Sequence, residues 1–133
     1  MLRFNVILFA LLITYCMASN KCKCRFSIKP RVANGITPVP NGCGAKAKGD
    51  FVPELWFNSC CQQHDVCYGV CNSDKVVCDA QFYECMKQTC SEVQNPISRT
   101  ACKVSAFAFN TAVLELGCFA WIQNQNNYCT VKC

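Results

Sequence analysis

The chain contains one histidine, His64, and it stands in the run Cys60-Cys61-Gln62-Gln63-His64-Asp65-Val66-Cys67-Tyr68. Histidine titrates near neutrality, so an imidazole fixed among half-cystines and beside a carboxylate is a ready acid–base group. The plainer alternative is a surface histidine on a cysteine-rich helix. A second acid, Asp79, lies in Cys78-Asp79-Ala80-Gln81-Phe82-Tyr83-Glu84-Cys85. Upstream, Asn41-Gly42-Cys43-Gly44 has the small residues that let backbone carbonyls turn inward. Carbonyls of that kind, joined by a carboxylate, suit calcium, which takes oxygen ligands in flexible loops.

These groups need elements to hold them. Residues 19–50 are rich in Gly, Pro and Lys and read as an ordered loop. A helix is predicted from about Pro53 to Cys71, with Asp50 upstream as a cap; Cys60, His64, Cys67 and Cys71 then fall on one face. Asn72-Ser73-Asp74 reads as a turn and an N-cap, opening a second helix over about Lys75 to Thr89 in which Cys78, Phe82 and Cys85 share a face. After a break at Asn95-Pro96, a third helix is expected from about Thr100 to Leu116, stopped by Gly117, with Cys118, Cys129 and Cys133 stapling an irregular tail.

Two helices joined by so short a turn pack antiparallel. In such a pair, residues whose numbers add to one total lie level, as Cys60 does with Cys85 and Cys67 with Cys78. Two rungs of disulfides therefore fit. His64 lies between them, and Asp79 falls about 3 Å off its level at the helical rise. Asp65 points roughly 100° round the helix from His64, away from that ring, and is free to face a metal.

The start Met1-Leu2-Arg3-Phe4-Asn5, the apolar run Val6 to Tyr15 and the small residues at Cys16-Met17-Ala18 read as a secretory leader over residues 1–18. No other apolar run is expected to reach membrane-spanning length. The chain has 15 cysteines; removing Cys16 with the leader leaves 14, a density that marks a disulfide scaffold made in an oxidising compartment. Adjacent and alternate cysteines argue against zinc-binding pairs, and oxidised cysteines exclude a thiolate nucleophile. The formal charge of +5 becomes +4 without Arg3. Lys21, Lys23, Arg25, Lys29 and Arg31 form a basic segment within residues 19–37, which suits anionic surfaces or simply keeps the arm solvated.

The histidine run fits the CCxxHDxCY pattern at every fixed position and resembles secreted phospholipase A2. Pro40-Asn41-Gly42-Cys43-Gly44, the Cys78–Cys85 segment and Leu116-Gly117-Cys118 are most similar to the group XII branch. The resemblance covers residues 38–133 and implies a mostly α, disulfide-rich phospholipase A2-like fold: two antiparallel disulfide-linked helices, a calcium loop and a third, C-terminal helix. It implies His64 as general base, Asp79 as its orienting partner and Asp65 as the calcium carboxylate. Gly42, Gly44 and Lys46 would lend carbonyls, although Lys46 stands where the superfamily's second loop glycine is usual. It further implies bridges Cys43–Cys61, Cys60–Cys85 and Cys67–Cys78, the last two being the level pairs above. Cys22, Cys24, Cys71, Cys90, Cys102, Cys118, Cys129 and Cys133 stay unassigned. The implied activity is calcium-dependent hydrolysis of the sn-2 ester of glycerophospholipids by a secreted monomer at a phospholipid surface, with no nucleic-acid partner. The rivals are a non-catalytic phospholipase-like ligand or toxin and a disulfide-rich defence peptide.

Overall fold

The structure is a computed structural model that describes residue 22, residues 32–43 and 54–130, and residue 133. The leader, the five basic residues of the N-terminal arm, Gly44 and Lys46 lie outside the described residues. Three helices follow one another: α1, Glu54–Gly69; α2, Lys75–Glu92; and α3, Pro96–Tyr128. Each packs against both of the others, as the sequence expectation of a mostly α, disulfide-linked fold requires.

Local signals set most of the boundaries. Asp74 caps α2 by accepting the Val76 amide at 2.8 Å, the exchange that satisfies an otherwise orphaned first-turn donor. Asn95 does the same for α3, its Oδ1 accepting from the Ile97 and Ser98 amides at 2.9 and 3.0 Å, with Pro96 in the first turn. Asn95-Pro96 is therefore the start of α3 as well as the break before it, four residues ahead of the predicted Thr100. α1 stops at Gly69, two residues short of Cys71, which instead bridges Cys129 from the turn.

The larger correction concerns Gly117. Sequence reasoning ends the third helix at Leu116 and leaves an irregular tail; in the structure α3 runs through Gly117 to Tyr128. Glycine is there for space, since a Cβ would stand 2.7 Å from the Tyr68 hydroxyl and 3.0 Å from Lys75 Cε. The extra turns carry Trp121 and the wholly buried Gln125 to the α1–α2 turn. There Gln125 Nε2 donates to the carbonyls of Tyr68 and Val70 at 2.8 and 2.7 Å, and its Oε1 accepts the Asn72 amide at 2.9 Å. Carbonyls at the end of α1 have no partner within their own helix, and α3 supplies one. The longer α3 also overturns the expectation about apolar runs: by length and composition it is long and apolar enough to cross a membrane, with a mean hydropathy of 1.4 over an 18-residue window.

Six disulfides join described residues. Cys43–Cys61, Cys60–Cys85 and Cys67–Cys78 are the three pairs that the resemblance implies, and the two rungs have the same Cα separation, 5.7 Å. Among the previously unassigned cysteines, Cys22 pairs with Cys118, Cys71 with Cys129 and Cys90 with Cys102; Cys133 is bridged as well. α3 and its C-cap are thus tied to α2, to the turn between α1 and α2, and to the chain ahead of α1. Ala33 and Cys129 form an isolated antiparallel bridge, with the Asn34 amide donating to the Tyr128 carbonyl at 3.0 Å.

The apolar core between the helices is small. Phe57, Phe82, Met86 and Ala106 pack with buried half-cystines, and Trp56, Tyr83, Phe109 and Val113 close over them. In the apolar run at the start of α1, Phe57 is wholly buried and packed edge-to-face on Phe109 at 5.8 Å. Trp56 is half-buried against the same core; Phe51, Val52 and the Leu55 side chain lie outside the described residues. Phe57→Ala should lower stability by about 3–5 kcal/mol, the cost of emptying a packed aromatic site. A denaturant titration reads the shift in midpoint, and a change below about 1 kcal/mol on the same scale would contradict this packing.

Candidate active site

His64 sits on the α1 face turned to α2, bracketed by the two rungs. Its Nε2 lies 2.8 Å from Asp79 Oδ1. Its ring stacks on Phe82, with centroids 4.5 Å apart and planes 24° from parallel, and touches the tilted Tyr68 ring at 4.1 Å. The aromatic faces and the rungs hold the imidazole on both sides. Together with Gln63, Gln81 and Phe82, the ring and the rung cysteines line a cavity of about 40 Å³, enough for water.

Asp79 is the most heavily used side chain of the site. Oδ1 accepts from the Tyr68 hydroxyl at 2.6 Å as well as from His64, and Oδ2 accepts from Lys75 Nζ at 2.6 Å. Burial on its own would raise this carboxyl. The hydrogen bonds from His64, Lys75 and Tyr68 outweigh that penalty and hold it below the ordinary carboxylate range. Tyr68 moves the other way, because its burial and then the adjacent Asp79 charge push the phenol well above its usual value, and it stays a donor. An ionised Asp79 can only accept, so the proton between it and His64 belongs on Nε2. That leaves Nδ1 as the acceptor of the ring.

Asp65, one residue on, faces elsewhere as its helical angle requires. Its Oδ2 accepts the backbone amides of Asn41 and Gly42 at 2.9 and 3.0 Å, tying α1 to the start of the glycine loop. Gly42 has φ +89°, a left-handed conformation that glycine adopts without a Cβ penalty. Burial raises the Asp65 carboxyl, while the two amides and the neighbouring His64 pull against it. Among the described residues Oδ1 of Asp65 accepts no hydrogen bond. A half-buried carboxylate with one oxygen uncommitted, seated on a glycine loop, fits a hard cation. No group of three or more His, Cys, Asp or Glu that could hold a metal occurs among the described residues; backbone oxygens and water are ligands that calcium takes beside a carboxylate. Gly42 is placed beside Asp65; Gly44 and Lys46 lie outside the described residues.

The structure brings His64 together with Asp79 and Asp65 together with Gly42, and it adds two residues that the sequence reading did not single out. Tyr68 appears only as a letter of the pattern, and Lys75 only as the first residue of a helix. The signal for Lys75 was available, since it precedes Asp79 by one helical turn, the spacing at which opposite charges meet.

The family model described as "Group XII secretory phospholipase A2 precursor" matches residues 9–133, taking in residues ahead of the stretch where the sequence motifs lie. Group XIIA secretory phospholipase A2 of Homo sapiens is 34% identical over 116 residues, which cover 80% of this chain and 60% of that protein. Group XIIB secretory phospholipase A2-like protein of Mus musculus is 30% identical over 119 residues, 80% of this chain and 61% of that one. Basic phospholipase A2 of Micrurus mipartitus is 32% identical over 99 residues, 71% and 82% of the two chains. The chain spans about three fifths of the length of these group XII relatives. No solved structure matches it.

Proposed function

This chain belongs to the group XII secretory phospholipase A2 family, and on that footing we propose that it hydrolyses the sn-2 ester of glycerophospholipids, releasing a fatty acid and a lysophospholipid. The observation that carries the reading is the Asp79–His64 pair, oriented so that Nδ1 is the free base. In this reading the chain acts outside the cell with calcium, after losing a leader over residues 1–18. Residues 19–37 form its basic arm and residues 38–133 its catalytic domain, which works as a monomer at a phospholipid surface. The six bridges between described residues support manufacture in an oxidising compartment.

The chemistry at His64 is general-base hydrolysis. Nδ1 takes a proton from water as its oxygen attacks the ester carbonyl carbon, and no covalent enzyme intermediate forms. Asp79 holds the Nε2 proton in place and stabilises the imidazolium created by the transfer. When the tetrahedral intermediate breaks, the imidazolium returns its proton from Nδ1 to the departing glyceryl oxygen, and the neutral ring is restored. Asp65, with carbonyls of the loop that begins at Gly42, would hold calcium. Bound there, the ion supplies Lewis-acid polarisation of the carbonyl and offsets negative charge on its oxygen.

Calcium dependence is tested with purified protein on mixed phospholipid vesicles. Fatty-acid release should cease in chelator and return when calcium is restored, and Asp65→Asn should raise the calcium needed or abolish release. Undiminished turnover in chelator would remove Asp65 from the role of metal ligand. A phospholipase-like ligand without catalysis is the competing reading, and the intact His64–Asp79 pair favours the enzyme over it.

A further inference from the structure

Lys75 is a charged residue at which the fold spends much of its packing. It is 2% exposed, and a lysine so deeply buried is rare unless it is paired. Its ammonium donates to Asp79 Oδ2 at 2.6 Å and to the Val113 carbonyl of α3 at 2.9 Å. Val113 is one helical turn before Gly117. At Gly117 the absence of a Cβ opens the slot that Lys75 Cε and the Tyr68 hydroxyl fill, at 3.0 and 2.7 Å from where that carbon would stand. A glycine inside a long helix is unfavourable relative to alanine, so the slot opposes helix stability and is kept for what fills it.

The division of labour at Asp79 explains what the ammonium does. Oδ1 serves His64 and Tyr68, while Oδ2 serves Lys75 alone among the contacts described. A buried carboxylate with one oxygen unpaired would favour its protonated form or turn about its side-chain bond to satisfy that oxygen. Either change weakens the acceptor facing Nε2. We propose that Lys75, seated in the slot at Gly117, is a positioning residue for the reaction at His64, holding the Asp79 carboxylate turned so that Oδ1 meets Nε2. The proposal rests on His64 as the general base, and it makes α3 part of the catalytic support although that helix contributes no group to the chemistry.

A purely structural ion pair would affect folding alone, so the test reads stability and the state of His64 separately. Lys75→Met keeps the length of the side chain and removes the charge. Gly117→Ala leaves the ammonium in the chain and pushes a methyl group into the slot. In each, kcat on phospholipid vesicles should fall by about 10–100-fold, the size carried by partners of site residues, with KM little changed. The nitrogen and Nε2-proton resonances of His64, unambiguous because the chain has a single histidine, should move at fixed pH. Lys87→Met, which removes an exposed ion pair with Glu84 on the same helix, should alter neither. If Lys75→Met is folded with wild-type kcat and an unmoved imidazole signal, the proposal fails. It also fails if Lys75→Met does not fold while Gly117→Ala is folded and catalytically unchanged, which would mark the pair as structural only. A wild-type protein without turnover would refute the general-base reading instead, and the imidazole resonances would then decide the role of Lys75 by themselves.

Discussion

His64→Gln should yield a folded protein with all its bridges and about 10²–10⁴-fold less hydrolysis, the range that a positioned general base supplies. Glutamine can still donate an amide hydrogen to Asp79 Oδ1, so the buried carboxylate keeps that partner as well as Tyr68 and Lys75. What it lacks is a nitrogen that accepts a proton from water. The fold should survive because the ring closes no bridge; it gives up only its contacts with Phe82 and Tyr68. Fatty-acid release, the non-reduced mass and the helical circular dichroism measure the three outcomes. Hydrolysis close to wild type, with bridges intact, would overturn the mechanism whatever family the chain belongs to.

Reduction of the disulfides should unfold the protein. The side chains that build the core are few, and among the described residues seven of the thirteen buried apolar ones are cysteines. Native bridges in small secreted domains are worth about 2–5 kcal/mol each, against a total stability of about 5–15 kcal/mol for a domain. Losing the six between described residues already exceeds what the remaining packing can offset. Cys71–Cys129 and Cys22–Cys118 span 58 and 96 residues, so their loss frees α3 from both the turn and the N-terminal chain. Excess reductant should abolish the cooperative thermal transition, and the mature chain before reduction should have no free thiol among its 14 cysteines. A cooperative transition that persists after full reduction would show that the helices hold without their staples.

The site was legible where one geometry linked two helices. Helical period and antiparallel pairing placed Cys60 opposite Cys85, Cys67 opposite Cys78, and His64 within reach of Asp79, with no knowledge of anything else in the chain. The same period sent Asp65 away from the ring, and the structure seats it on the Asn41 and Gly42 amides. What failed was reading a residue whose reason lies in a third helix. Gly117 carries the local mark of a helix end, and only the Tyr68 hydroxyl and Lys75 pressing on it account for a glycine in mid-helix. Lys75 enters the sequence reading only as the first residue of the second helix and Gln125 only as part of an irregular tail, whereas α3 covers the one and seats the other against the carbonyls that end α1. Periodicity reports which face is apolar; it does not report what another helix brings to that face.

The two rungs also bear on how this site can vary over time. Within α1, Cys60 and Cys67 are seven residues apart, as are Cys78 and Cys85 within α2, and His64 and Asp79 lie inside those intervals. One residue inserted between the cysteines of either helix would rotate everything beyond it by roughly 100°. A bridge would break, or the imidazole and the carboxylate would part. Point substitutions at Gln63 or Gln81, on the cavity wall, need not disturb this spacing. Descendants of this chain should therefore differ between the rungs by replacement and never by length, while insertions and deletions collect outside the intervals that the rungs enclose.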